Sequence, residues 1–136
     1  MDGLRIPILN RGYYKVMLDR VKVFKNHPSV ASITRYIEPE GNADAGLFPQ
    51  DPSYDWNRDF FGPLYIPEEG KTLAINLKNL PVYKRLLTEY EGNSVSTKGN
   101  QIYINGQLAD SYTFKQNYYW MMGDNRHNSI DARAWG

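Results

Sequence analysis

The chain contains no cysteine. Disulfides and thiolate zinc sites are therefore excluded, while the compartment stays open, because an oxidising compartment does not demand disulfides. No apolar run approaches the ~20 residues that a membrane helix needs, and no secretory hydrophobic region follows Met1. Charge of one sign is missing as well. Sixteen basic residues stand against 15 acidic ones, a net charge of +1, which provides no electrostatic footprint for nucleic acid. Internal repeats and low-complexity tracts are absent. What is present suits a folded chain: 136 residues, 41% hydrophobic and 23% charged, enough for one or two small domains with a modest core. Aromatic residues reach 14%, with 11 Tyr, which favours strands and half-buried surfaces over a helical bundle.

Periodicity and turn residues outline the elements. Ile6 to Leu9 is short and apolar and ends at a turn around Asn10-Arg11-Gly12, and Tyr13 to Met17 suits a strand. Asp19 is placed to cap a short helix over Arg20–Lys25, with Leu18 and Val23 as its hydrophobic staple. A single helix from Asn10 to Asn26 is the alternative. The β-branched content of Val30–Ile37 favours a strand. Glu38 to Pro63 is a long irregular stretch rich in Pro and Gly, whose aromatic second half is expected to pack down. Leu64–Ile66 reads as a short strand, and Thr72–Leu77 alternates as a half-buried one. Asn79 can cap a helix with Pro81 in its first turn. Val82, Leu86 and Leu87 fall on one face of that helix, with Tyr83 and Tyr90 at its edge. Val95–Lys98, Gln101–Ile104 and Gln107–Ala109 are short strands joined at Gly99-Asn100 and at Asn105-Gly106, the strongest hairpin signal in the chain. Tyr112–Phe114 and Tyr118–Met122 continue the sheet. The sum is an α+β fold, mainly antiparallel β.

The final stretch changes character halfway. Tyr118 to Met122 is apolar, and Gly123 stops it. Asp124, Asn125, Arg126, His127, Asn128, Ser129, Asp131 and Arg133 follow as a dense polar run. Composition alone describes a solvated turn. A polar loop hung on the end of a core strand is also the kind of element that fixes donors and acceptors in space.

The order of those residues is more specific than their composition. Gly-Asp-Asn-Arg-x-Asn-Ser-x-Asp-x-Arg-x-Trp-Gly over 123–136, preceded by Tyr119-x-Met121-Met122, resembles the last sequence box of type I signal peptidases. These are membrane-bound serine endopeptidases that cut leader peptides from exported proteins. The departures are His127 and Ala132, where that family more often shows Asp and Ser. Trp56 to Pro67 (Trp-Asn-Arg-Asp-Phe-Phe-Gly-Pro-Leu-Tyr-Ile-Pro) is similar to a stretch in signal peptidases of the Bacteroidetes type, and Tyr90-Glu91-Gly92, Ile104-Asn105-Gly106 and Tyr112-Thr113-Phe114 fit the same group. The likeness covers about the last two thirds of the chain and is weak before Val30.

The resemblance implies a β-rich catalytic core built around a Ser–Lys dyad, with a second β-rich domain inserted before the final box. Neither the Ser-Met-x-Pro box of the serine nor the Gly-x-Pro-Gly-Asp box of the lysine occurs here. The resemblance therefore makes residues 1–110 the non-catalytic insertion and residues 111–136 the return into the peptidase core. Both ends of the chain then read as interior points of a longer protein. It casts Ser129, Asp124, Asn125, Asp131 and Arg133 as supporting residues, with Ser129 holding the lysine amine and Asp131 pairing with Arg133. It implies exported precursors as substrates, a membrane anchor outside this chain, a site on the extracytoplasmic face of the cytoplasmic membrane, and no cofactor or metal. Without the dyad, this chain by itself is expected to be inactive.

Rival readings exist. Ser129, His127 and Asp124 or Asp131 have the residue types of a serine-protease triad, but three members from one short loop rarely converge. On that reasoning His127 is expected at the surface, and His27 in a turn. The alternating oxygens of Asp51, Ser53, Asp55, Asn57 and Asp59 suggest a calcium loop, yet Trp56 replaces its required Gly and Gly62 its closing Glu. The Pro-flanked pairs Phe60-Phe61 and Leu64-Tyr65 are expected to plug the hydrophobic core, with a peptide-binding surface as the alternative. A non-enzymatic, β-rich extracytoplasmic binding module is the alternative from another functional class.

Overall fold

The computed structural model describes residues 4–8, 12–16 and 21–136. Its architecture is α+β and mainly antiparallel β, in three small sheets among the described residues. The first sheet has the order β2-β1-β3, from β1 (Leu4–Ile8), β2 (Gly12–Val16) and β3 (Thr34–Arg35). In it β1 and β2 pair antiparallel, Ile6 opposite Tyr14. The strand at Gly12–Val16 therefore displaces the alternative of one helix from Asn10. Helix α1 covers Val21–Lys25. Its expected cap Asp19 and staple residue Leu18 lie outside the described residues. The strand expected over 30–37 shrinks to Thr34–Arg35, the two residues that β1 pairs. His27 sits in the expected turn, its Nδ1 accepting from Ser29 N at 3.2 Å.

The core lies further along. Helix α2 (Leu80–Arg85) has Pro81 in its first turn, where a missing N–H costs nothing, and runs on into a π-helical turn at Leu86–Tyr90. Asn79 is no side-chain cap. Its amide instead accepts from Asn76 N at 2.8 Å and donates to Ala74 O at 2.8 Å, pinning the approach from β4 (Thr72–Ala74). Leu80, Val82, Tyr83 and Leu87 point inward and meet Ile102 and Ile104 of the meander β5-β6-β7 (Val95–Lys98, Gln101–Ile104, Gln107–Leu108). Tyr83 is core rather than edge. Its hydroxyl finds Tyr65 O at 3.0 Å, which lets the ring sink, and burial pushes its pKa up to about 12. The turn between β6 and β7 has Asn105 at φ 54° and Gly106 at φ 78°, the left-handed pair that a two-residue hairpin requires.

Strand β8 (Ser111–Thr113) pairs with β4 and delivers Phe114, 1% exposed, into the middle of this core. Leu64–Ile66 forms no strand, and β4 stops at Ala74 rather than Leu77, because beyond the buried Ile75 the side chains of Asn76 and Asn79 bond each other's backbone N–H and turn the chain. Tyr118–Met122 forms no strand either. Its exposure alternates as a strand's would, Tyr118 and Trp120 inward and Tyr119 and Met121 outward. No described segment offers it a ladder, however, and a strand without a neighbour has nothing to bond. Among the described residues no helix is long and apolar enough to cross a membrane.

Candidate functional site: the final polar loop

The long stretch from Glu38 to Pro63 is organised by one residue that sequence reading weighed only as a calcium-loop oxygen and as part of the Trp56–Pro67 resemblance. Asn57 is fully buried. Its Nδ2 donates to Pro39 O at 2.7 Å and Asn42 O at 3.3 Å, and its Oδ1 accepts from Asp59 N at 3.0 Å and Phe60 N at 2.8 Å. All of its hydrogen-bonding capacity goes to backbone, which lets an irregular loop be buried. Phe61 packs between Trp56 and Trp120, with centroids 4.6 and 5.5 Å away. Leu64 packs on the core, while Phe60 and Tyr65 remain exposed, so the two aromatic pairs divide between plug and surface. The oxygen-rich run is turned on itself: Asp51 Oδ1 accepts from Ser53 N at 2.9 Å. No group of three or more His, Asp or Glu among the described residues is placed to hold a metal.

Onto this loop the final one is docked. Its ends are drawn together by Ala132 N donating to Met121 O at 3.0 Å and Gly123 N donating to Asp131 Oδ2 at 2.9 Å. Asp131 and Arg133 form a buried fork: Nε to Oδ1 is 2.9 Å and the terminal nitrogen to Oδ2 is 2.7 Å. Bidentate geometry of this kind is the strong form of the contact. Asp131 also caps the short helix α3 (Ala132–Trp135), accepting from Arg133 N at 3.1 Å. The Arg133 hydrogen bonds hold its carboxyl well below the usual carboxylate range; burial opposes this, and the N–H groups of Gly123 and Arg133 add to the lowering. The same guanidinium donates to Arg126 O at 2.6 Å, so the ion pair also grips the middle of the loop.

Ser129 is half-buried and donates its hydroxyl proton to Asn125 O at 2.7 Å. Its oxygen lies so close to Gly123 that any Cβ at 123 would collide with it. That close approach is the reason for glycine there. Asn125 precedes a 3-10 turn over Arg126–Asn128, and Asp124 Oδ1 accepts from Asn125 N at 2.9 Å. His127 is the correction to the expected arrangement. It is buried, with Nε2 2.9 Å from Asp59 Oδ1. The reason is a partner 68 residues away, which no local pattern reveals. Of the triad types, Ser129 donates to Asn125 O, His127 Nε2 faces Asp59, and Asp131 faces Arg133. Asp59, Arg58 and Asn57 were therefore missed as site-building residues. The single clue to them was the polar Asn-Arg-Asp placed between bulky aromatics.

The geometry offers an oriented hydroxyl on a loop rigidified by a buried ion pair. The family described as signal peptidase, peptidase S26, matches residues 68–136. A signal peptidase I of Bacillus amyloliquefaciens is 29% identical over 89 aligned residues, covering 48% of this chain and 48% of that protein. The chain thus aligns with about half the length of that curated relative. No solved structure gives a significant match.

Proposed function

Since this chain belongs to the signal peptidase family, peptidase S26, we propose that it is part of a membrane-bound serine endopeptidase that removes signal peptides from exported precursors. Residues 1–110 are its inserted, non-catalytic domain, and residues 111–136 return into the catalytic core. The work is done on the outer face of the cytoplasmic membrane. The reaction is amide hydrolysis through an acyl-enzyme: a serine hydroxyl attacks the scissile carbonyl, and a neutral lysine takes its proton. Neither dyad box lies in this sequence. The part played here is to shape the lysine's pocket, with no metal or cofactor.

The observation that carries this reading is the state of Ser129. Its proton is committed to Asn125 O, so its lone pairs are left to accept. An amine N–H donating to that oxygen keeps its own lone pair for the nucleophile. A neutral amine works as a base only if it is held that way, and a hydroxyl holds it without favouring the ammonium form as a carboxylate would. Asp131, Arg133, Asp124 and Asn125 serve by keeping Ser129 in place.

A direct trial incubates the purified chain and the full-length enzyme with a leader-bearing precursor. The full-length protein should cut at the leader junction and this chain should not, because losing a catalytic group costs several orders of magnitude in rate. Cleavage by this chain, abolished by mutating one of its own serines, would sink the assignment. Tight precursor binding with no cleavage by either protein would favour the binding-module alternative.

A further inference from the structure

Two adjacent residues of the long loop hold a single residue of the final loop at two points. Asp59 Oδ1 meets His127 Nε2 at 2.9 Å, and Arg58 donates to His127 O at 3.2 Å. The grip is anchored behind. Asp59 Oδ2 accepts from Glu38 N at 2.8 Å, Asp59 N is bonded to the buried Asn57, and the Arg58 guanidinium lies 3.7 Å from Asp44 Oδ2. The His127 and Asp59 side chains are only 3% and 10% exposed. From the other side, Arg133 takes Arg126 O. The 3-10 turn Arg126–Asn128 is thus clamped on both flanks, and the next residue is Ser129.

We infer that Arg58, Asp59 and His127 form a positioning clasp through which the Trp56–Pro67 segment sets the place of the Ser129 hydroxyl. The inference rests on the reading that Ser129 supports the amine base. Asp131–Arg133 closes the loop's ends and holds Arg126 O from one flank, which leaves the opposite flank of the turn to be fixed by Arg58 and Asp59. Small misplacements of a supporting group are costly in rate, since positioning carries much of an enzyme's advantage. Buried, charge-assisted contacts are suited to that task because bulk water does not compete for them. Against the Asp59 carboxylate, Nε2 is the nitrogen that carries the proton. A side chain at 127 must therefore present a donor at that height.

The test uses the full-length enzyme, once its cleavage of a leader-bearing precursor is established, together with this chain. His127→Ala should lower kcat about 10–100-fold, in the range of lost supporting hydrogen bonds, with KM changed by no more than about twofold. His127→Gln, which keeps an N–H toward Asp59, should recover much of the loss. The double variant Asp59→Ala/His127→Ala should be no slower than the slower single variant, as expected of groups acting through each other. In this chain, His127→Ala should speed amide hydrogen exchange at 123–133 and leave 95–108 unchanged. Unaltered kcat, multiplying single effects, Gln no better than Ala, or faster exchange throughout the chain would each overturn the clasp. A wild type that cuts no precursor removes the functional reading and the positioning role with it, while the exchange pattern still reports separately on the grip.

Discussion

Ser129 and Asp131 sit two residues apart and do opposite things with their oxygens. The Ser129 oxygen keeps lone pairs to offer, while the Asp131 carboxylate is spent on Arg133, Gly123 N and the start of α3. In the full-length enzyme Ser129→Ala should lower kcat about 10–100-fold with little change in fold. Ser129→Asp should be slower still and should move the pH–rate profile to the alkaline side, because a carboxylate raises the pKa of an amine beside it. An Ala variant as fast as wild type, or an Asp variant with an unmoved profile, would separate Ser129 from the base. Asp131 gives a stability prediction. Its folded pKa is depressed, so its contribution is complete above its unfolded value of about 3.9 and is lost as pH falls from there toward the folded value. At neutral pH Asp131→Asn should cost about 3–5 kcal/mol, since it leaves the Arg133 guanidinium buried and unpaired. Below about pH 4 the gap between variant and wild type should close. Denaturant unfolding of both across pH measures this; a constant gap would mean that the carboxylate's charge is not what matters.

Among the elements, the meander β5-β6-β7 was the most predictable and is fastened in a way its pattern does not display. Asn105 provides the left-handed residue of the hairpin, and its side chain also reaches back: Nδ2 donates to Asn93 Oδ1 at 2.8 Å and Oδ1 accepts from Ser94 N at 2.9 Å. Asn93 in turn donates to Leu87 O and to Tyr112 Oη. Tyr112 and Tyr118 both donate to Glu91, with Lys115 N on the same carboxylate. The turn therefore belongs to a polar seam joining the π-helical turn, β6 and β8. Asn105→Gly keeps the φ preference and deletes the amide. It should still cost about 1–3 kcal/mol, the usual penalty for leaving a buried acceptor, here Asn93 Oδ1, without its donor. A chemical-denaturation midpoint unchanged from wild type would reduce Asn105 to a turn former.

On the scale of the whole molecule, the segment returning toward the proposed catalytic core is also part of the hydrophobic centre. Phe114 is 1% exposed and stacks edge-on to Tyr83, Tyr112 and Tyr118. Burial pushes Tyr118 up to about 12, as it does Tyr83. The chain should therefore melt in one cooperative step, and a version ending at Asp110 should not fold, because it lacks β8 and the residue its core closes around. Near-ultraviolet circular dichroism during heating distinguishes the outcomes. Two separate transitions in the whole chain, or a native-like Asp110 version, would show residues 1–110 to be self-sufficient. Tyr119, Met121, Ile130 and Trp135 of the final segment stay exposed, outside this centre.

What the sequence determined by itself was local or strongly patterned. The β5–β7 meander follows from short β-branched and aromatic runs punctuated by Gly99-Asn100 and Asn105-Gly106. The helix after Asn79 follows from Pro81 and the spacing of Val82, Leu86 and Leu87, and the family was legible in the ordered polar box at 123–136. The Asp131–Arg133 pairing was expected from the resemblance and is present. Tertiary structure alone decided the rest, wherever a residue's role depends on a distant partner. His127 looked like a surface residue until Asp59 came within 2.9 Å, Tyr83 like an edge residue until Tyr65 O accepted its hydroxyl, and Asn57 like one polar residue among many until four backbone groups converged on it. Tyr118–Met122 had the composition of a strand and finds no partner strand among the described residues. Burying a polar group depends on finding its hydrogen-bond partner, and forming a strand depends on finding a ladder. Both are supplied by the fold from far along the chain, so local pattern could not contain them.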